Sequence, residues 1–486
     1  MPEPTRRAFC SLAAGAIMAS TACRSVDSAK LRGSGDKVNV AVIGLGLRGQ
    51  VHLTSWSGLP DSRIVAVCDV SREALARGQA KVKRETGKEP KGYQDLRQVF
   101  DDKDVQAVAM PLPNHWHALA TIWACQAGKD VYVEKPACHN PFEGQKMIEA
   151  ARAYNRMVQV GAQSRSMPHI MKAMDLLHGG VIGKVYLARG LCYKWRPSIG
   201  HKADEPTPSG LDWDEFLGPA PMRPYNELRY RYNWNFFWDT GNGDIGNQGI
   251  HEMDIARWGL GREGMPERVV SSGGKYIFDD DQETPNTQNA TIDYGDAEIE
   301  FEVRGLSTGG EGGLGSDTYV RDLSPRLRNF LGRLGRVQGG YVIGNLFYGS
   351  EGWMALNGGG FQVYRGPRSE KVLDEKSAAK NEALRDATPN MENFLTAVRS
   401  RNYKDLNSDV AAGVASANLV HLANASYRLK RELQCDGSDA LANAYLTREY
   451  RAPYIVPVDV RTGAQEPPVQ GACPRCAVHS HAGEGC

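Results

Sequence analysis

The stretch "VAVIGLGLRGQ", Val40 to Gln50, decides the fold of this chain. Aliphatic residues run straight into Gly44, Gly46 and Gly49. Such a run reads as a buried strand that breaks into a tight turn and opens a helix. That turn lets the backbone approach a pyrophosphate, whose charge rests at the helix N-terminus. In a chain with 53 glycines the spacing alone is weak; its context raises it. The next strand, "RIVAVCDV", ends in Asp69, where a carboxylate can accept both ribose hydroxyls of an adenosine. The same carboxylate would repel a 2′-phosphate, which favours NAD; Arg72 close by leaves NADP open. Gly44, Gly46, Leu47, Arg48, Gly49 and Asp69 are therefore the expected cofactor contacts.

Working outward, strands and helices alternate from Val38 to about residue 162. Ser71 reads as the N-cap of a helix running to Gly87, "VQAVAMPLP" as a strand, and "HWHALATIWACQAG" as a helix. "DVYVEKP" is a strand stopped by Pro136; "RMVQVGAQ" is another. Short apolar strands separated by helices predict a doubly wound parallel sheet covered on both faces, a Rossmann domain over 38–162. From 163 to 455 the pattern changes to longer alternating stretches such as "KVYLARGLCYKW" and "NATIDYGDAEIEFEVRG", which predict a second α/β domain with a mainly antiparallel sheet. A helix near Ile250 to Gly259 interrupts them, and two more follow near 390–399 and 408–428. Residues 305–340, rich in Gly and Arg, read as a surface loop.

The chain has 486 residues and a net charge of +1, which gives no basis for a nucleic-acid partner. Thr5-Arg6-Arg7-Ala8-Phe9 is a twin-arginine pattern, and a small-residue apolar stretch follows it. Residues 1–23 are expected to be an export signal and 24–37 a polar linker, placing the protein in the periplasm or cell envelope. Cys23, behind Ser20-Thr21-Ala22, is either a lipid-anchor site or incidental to a plain cleaved signal. The ten cysteines include Cys68, Cys125, Cys138, Cys192 and Cys435 in apolar contexts, expected as buried free thiols. Residues 456–486 read as a tail in which Cys473, Cys476, His479, His481 and Cys486 cluster. A disordered tail or small disulfide loop is preferred there over a metal site, and no metal is assigned.

Three further segments carry chemistry. "PLPNHWHA" follows a strand, where loops line the ligand crevice. Asn114 and His117 there either meet the nicotinamide ribose or serve as a cap and a core histidine. Glu134-Lys135-Pro136 ends the fourth strand, so Glu134 and Lys135 should face the same crevice, with Pro136 fixing the turn, as a cis bond in one reading. A lysine there can hydrogen-bond a substrate hydroxyl. Asp244, Asn247, His251 and Asp254 stand together in "GDIGNQGIHEMDIARW". His251 can act as general acid or base. Asp254 either contacts substrate or orients the helix. The aromatic run Tyr225 to Trp238 can stack on sugar rings, fill a core or form a subunit interface.

Taken in order, GLGLRG, NHWHA, VEKP, GAQSR and the histidine helix resemble the Gfo/Idh/MocA oxidoreductases over about Val38 to Leu429. The resemblance implies a Rossmann domain plus an open-sheet α/β domain, NAD, a small sugar or glycoside substrate and a homo-oligomer. It implies Lys135 and His251 as catalytic, with Gln163 near the nicotinamide and Tyr193, Lys194 and Arg196 as substrate contacts. Where the family has an aspartate four residues before its histidine, this chain has Asn247, with Asp244 three residues earlier. "GLRGQVH" resembles the family's NAD-dependent α-N-acetylgalactosaminidases. Three functions are thus expected in order: a carbohydrate oxidoreductase with tightly bound, self-recycled NAD, a redox-neutral glycosidase, and a non-catalytic sugar-binding lipoprotein.

Overall fold

The computed structural model describes residues 36–306, 342–377 and 387–463. The expected export signal, Cys23, most of the 305–340 segment and the Cys/His cluster lie outside the described residues.

The first domain contains β1 (Val38–Ile43), α1 (Leu47–Gly58), β2 (Ser62–Cys68), α2 (Arg72–Thr86), β3 (Lys91–Tyr93) and α3 (Leu96–Asp101). It continues with β4 (Ala107–Met110), α4 (Asn114–Gln126), β5 (Asp130–Val133), α5 (Pro141–Ala153) and β6 (Val158–Val160). Its six strands are ordered β3-β2-β1-β4-β5-β6, all pairs parallel. The strand order reverses between β1 and β4, and ligands of such sheets bind beyond the C-terminal strand ends at that point. All but the exposed edge strand β3 read as nearly continuous apolar runs, because helices cover both faces. Ser71 caps α2 by accepting the Ala74 N–H, and Gly87 closes it at φ 74°, as the sequence predicts.

The second domain adds α6 (Pro168–His178), β7 (Val185–Tyr193), α7 (Trp213–Leu217), α8 (Gly243–Asn247), α9 (Gly249–Leu260), β8 (Arg268–Gly274), β9 (Thr287–Asp293) and β10 (Glu298–Arg304). After these come β11 (Val342–Gly349), β12 (Gly352–Asn357), β13 (Gly360–Arg365), β14 (Glu370–Lys376), α10 (Thr388–Ser400), α11 (Val410–Leu429), β15 (Leu433–Gln434) and α12 (Ala440–Tyr445). Nine described strands form one sheet, ordered β14-β13-β12-β11-β7-β10-β9-β8-β15. It is antiparallel except for the central β7–β10 pair, which is parallel. Helices α6, α9 and part of α11 pack on one face through Ile170, Met253, Ile299, Phe301 and Leu419.

Two boundaries move. The chain returns to the first domain after the second sheet, so 163–455 is not one separate block. Met391 and Phe394 of α10 pack with Trp56 and Tyr132, and the Tyr132 hydroxyl donates to Asn390 Oδ1 at 2.9 Å. Helix α11 is a splint: Val410, Val414 and Ala417 belong to the first core, Leu419, Val420 and Leu422 to the second. The tail also starts later than residue 456. Val456 and Val460 are buried against the first domain, and the Val460 carbonyl accepts hydrogen bonds from Gln126 and Tyr154. The body cysteines Cys68, Cys125, Cys138, Cys192 and Cys435 are buried free thiols.

Candidate active site

The glycine turn has the shape the sequence demands. Gly44 sits at φ 95°, and a Cβ there would meet the Pro111 carbonyl oxygen at 2.8 Å. A Cβ on Gly49 would fall 2.0 Å from the Gly44 oxygen. Gly46 opens α1 with no side-chain cap and no heavy atom near its absent Cβ. The first amides of α1 are thus left for an outside anion. Asp69 braces this turn: Oδ2 accepts the Leu45 N–H at 2.7 Å and Oδ1 the Ser71 N–H at 2.8 Å. Burial pushes its carboxyl pKa up, and those two N–H groups work against the rise. Glycines where a Cβ would block the turn, an uncapped helix start and a carboxylate after β2 fit a dinucleotide with free ribose hydroxyls. Leu47 offers only its backbone, since its side chain is 77% exposed.

At the end of β5, Glu134 is buried and accepts from Arg48 Nε at 2.7 Å and His52 Nε2 at 2.9 Å. The Lys135–Pro136 peptide is cis. Lys135 Nζ crosses to the second domain and donates to the Asn247 carbonyl oxygen at 2.7 Å, with Asn247 Oδ1 at 3.4 Å. Its pKa drops to about 8, because burial opposes the charge and Arg48, Lys194 and Arg196 repel it against the pull of Glu134.

His251, at the start of α9, lines one pocket with Lys135, Ser164 and Ile250. Burial, then nearby Lys135, holds its pKa well below the ordinary histidine value, so the ring is neutral at physiological pH. It differs from every other described histidine. His52, His115, His117, His139, His169, His178, His201 and His421 each hydrogen-bond a protein group. Among the described residues the His251 ring has no such partner. A neutral imidazole without a partner, facing a lysine across a pocket, is a proton acceptor with its capacity unused.

The second domain adds a charged wall. Arg196 grips Asp244 with two hydrogen bonds, 3.1 Å from Nε and 2.7 Å from the terminal nitrogen. Lys194 Nζ donates to Gln248 Oε1 at 2.7 Å. Asn247 Nδ2 donates to the Tyr232 hydroxyl at 2.9 Å and to Asp244 at 3.3 Å. Burial works against the Asp244 charge, but Arg196 outweighs it and holds the carboxyl below its usual range. Asp244 is therefore an anchor for Arg196 and Asn247 rather than a free base.

Four expected contacts are corrected. Tyr193 points to the opposite sheet face, where its hydroxyl donates to Glu302 and accepts from Arg304. Side chains alternate along a strand, so Cys192 faces the helices and Tyr193 faces away from them. Asp254 lines the pocket of Lys135 and His251, but its oxygens are already taken, by both Arg165 nitrogens at 2.8 Å and the Ser416 hydroxyl at 2.6 Å, so it orients the helix rather than offering free acceptors. His117 is buried with its ring nitrogens on the Pro136 and Leu112 carbonyl oxygens, so it fastens the turn beside Lys135 instead of meeting a nucleotide. Asp244 is corrected as above. Asn114 donates to Asn242 Oδ1 across the crevice, and Gln163 lies buried in the turn after β6.

Sequence reasoning missed Tyr232, Gln248, His52 and Arg165. Tyr232 lay within an aromatic run whose composition does not single out one ring. His52 stood inside the quoted GLRGQVH, on the same helix face as Arg48, four residues apart.

Comparison with known proteins agrees with this geometry. The sequence model described as "Oxidoreductase family, NAD-binding Rossmann fold" matches residues 38–162. That described as "Oxidoreductase family, C-terminal alpha/beta domain" matches 168–286. The chain belongs to the Gfo/Idh/MocA oxidoreductase family, and its first domain is an NAD-binding Rossmann domain. A levoglucosan dehydrogenase of Pseudarthrobacter phenanthrenivorans is 27% identical over 250 residues, 49% of this chain and 57% of that protein. A glycosyl hydrolase family 109 protein of Saccharopolyspora erythraea is 29% identical over 216 residues, 43% of this chain and 42% of that one. The matches thus span about half the length of these curated relatives. A solved levoglucosan dehydrogenase in complex with NADH and levoglucosan shares the fold at TM-score 0.58 and 19% identity, covering 82% of this chain and 99% of that one.

Proposed function

We propose that this chain oxidises a secondary hydroxyl of a small carbohydrate, using an NAD that stays bound and is recycled in place. The observation that carries the reading is the convergence of Lys135 and an unpartnered His251 on one small pocket past the end of β5. NAD, when bound, supplies the hydride acceptor. Protonated Lys135 donates to the substrate oxygen and lowers the cost of negative charge on it. Neutral His251 takes the hydroxyl proton as the carbon loses its hydride and the C=O bond forms. Arg196 and Lys194 supply further donors for neighbouring hydroxyls. The sugar class is inferred from the 27% identical levoglucosan dehydrogenase.

The recycling follows from the twin-arginine pattern at residues 5–9, which suggests export from the compartment that holds free nicotinamide nucleotide. A second substrate must then return the hydride. A second reading is redox-neutral glycoside cleavage, favoured by the relative in glycosyl hydrolase family 109. In it, oxidation at C3 acidifies the C2 proton, its removal expels the C1 substituent, water adds at C1, and the hydride returns to C3.

The test uses protein purified without added nucleotide, incubated with glycosides in heavy water and followed by NMR. Free sugar deuterated at C2 over many turnovers supports cleavage. Keto-sugar stoichiometric with bound NADH supports the dehydrogenase. Neither product from a broad panel refutes both.

A further inference from the structure

Between β7 and α8 the chain leaves the second sheet, crosses to the first domain and returns. We propose that this excursion, residues 196–242, is a built-in clasp over the adenosine end of the cofactor site, with Tyr230 as its inner wall, that keeps the nucleotide from leaving. The inference rests on the reading that the protein works with retained NAD.

The excursion is seated on the turn that holds Asp69. The Arg72 N–H donates to the Gly210 carbonyl at 2.9 Å, the Asp212 N–H donates to the Val70 carbonyl at 3.0 Å, and Ser71 and Leu211 form an antiparallel bridge. Tyr230 sets its hydroxyl against Ser71 and lies within the field of Asp69. Around it Trp213, Phe216, Leu217 and Tyr225 form a buried cluster of their own, packed on Val70, Leu211, Tyr230 and Trp234. Trp213 and Phe216 stack at 4.9 Å, and Phe216 meets the Tyr230 ring edge-on at 5.1 Å.

The cluster is fastened from below. Trp116 Nε1 donates to the Glu215 carbonyl at 2.9 Å, and His115 Nε2 contacts the Phe216 carbonyl at the same distance. Arg97 of α3 pairs with Glu215, and Arg451 with Asp214 at 2.7 Å. Two residues beyond Tyr230, the Tyr232 hydroxyl accepts from Asn247 at the chemical end of the crevice. Arg231 between them takes φ 54°, a left-handed conformation uncommon for a residue with a side chain. One short segment thus touches both the Asp69 turn and the Lys135–Asn247 contact, bridging the two domains above the crevice. A nucleotide laid from the Asp69 turn toward Lys135 would have to pass this segment to dissociate.

The test measures release, not turnover. Full-length protein is desalted, its bound nucleotide is counted after denaturation, and the release rate is followed against excess labelled NAD. Tyr230→Ala is expected to speed release about tenfold or more, while Tyr230→Phe, which keeps the ring, stays near wild type. Because an aromatic deletion can disturb folding, a second variant works in the other direction. Ser71→Cys with Leu211→Cys places two thiols at the paired positions of the isolated antiparallel bridge, a spacing a disulfide can span. Oxidation is expected to slow release about tenfold and a reductant to restore it. Equal release in the oxidised and reduced forms, or retention in Tyr230→Ala equal to wild type, overturns the clasp. Sugar oxidation that needs continuous added NAD and proceeds through a freely exchanging nucleotide overturns it while leaving the oxidoreductase reading intact. Retained nucleotide that Tyr230→Ala sheds upholds the clasp even when no carbohydrate reduces it, in which case the proposed activity alone falls.

Discussion

Replacing Lys135 by Met should abolish activity and stabilise the protein. The fold lowers the lysine pKa from 10.5 to about 8, with burial as the leading cause. Such a drop corresponds to about 3 kcal/mol of folding free energy lost while the group is charged. The sign follows from linkage. The folded state disfavours the proton, so the loss is full at pH below about 8 and fades as pH rises toward 10.5, where the unfolded chain also becomes neutral. Met has a similar length and no charge, but it forfeits the Nζ hydrogen bond to the Asn247 carbonyl, worth about 1–2 kcal/mol. The net gain at pH 7 is about 1–2 kcal/mol. Denaturant unfolding of both proteins at matched nucleotide content, at pH 7 and pH 10, reads it. The Met variant should unfold at higher denaturant at pH 7, and the gap should close or reverse at pH 10. A Met variant that is less stable at pH 7, or a gap that does not change with pH, refutes the idea that Lys135 is held charged at the expense of the fold.

Arg165→Met leaves the Asp254 carboxylate buried without its two guanidinium donors, and should cost about 3–5 kcal/mol by denaturant unfolding; adding Asp254→Leu should recover most of it. Asp69→Asn removes the charge that excludes a 2′-phosphate, so calorimetric titration should find the NAD-over-NADP preference reduced about tenfold or more. Tyr193→Phe should leave kcat/KM within about twofold of wild type, because its hydroxyl serves Glu302 and Arg304 on the far sheet face.

The parallel sheet was legible because its strands other than the short, exposed edge strand β3 are covered on both faces and read as apolar runs. The positions of the candidate site residues were legible for the same reason: Gly44, Asp69 and Lys135 each follow such a run, and the strand end fixes where they stand. The second domain was legible as sheet but not in its pairing. The parallel β7–β10 contact joins strands separated by more than a hundred residues, which no local alternation records. Tyr193 was misassigned because a position at a strand end was taken for a direction, whereas the two-residue period sends neighbours to opposite faces. The role of α11 was hidden too. Its residues are apolar along both halves, and only the tertiary structure divides them between two cores.

The residue at position 247 stands against Lys135 Nζ, so its side-chain charge bears on how the lysine behaves. The family resemblance implies a carboxylate at that position, and a carboxylate beside Nζ would favour the charged lysine. Here the lysine meets a neutral carbonyl at 2.7 Å, and the nearest acidic group on that helix, Asp244, is already bound by Arg196. The pull that remains is from Glu134, which Arg48 shares. The Lys135 pKa near 8 therefore follows from burial and from the repulsion of Arg48, Lys194 and Arg196, with no carboxylate at position 247 to offset them. If Lys135 works as a charged donor, kcat/KM should fall on an alkaline limb near pH 8. Asn247→Asp should move that limb upward by about one pH unit or more, since an opposite charge at contact distance raises a lysine pKa by about that much. Wild type and Asn247→Asp would be compared by pH–rate profiles with a substrate both turn over, alongside Asn247→Ala to separate loss of the amide from gain of charge. A limb that stays in place in Asn247→Asp would mean that Lys135 does not set it, and that the titrating group lies elsewhere in the cluster formed by Lys194, Arg196 and Tyr232.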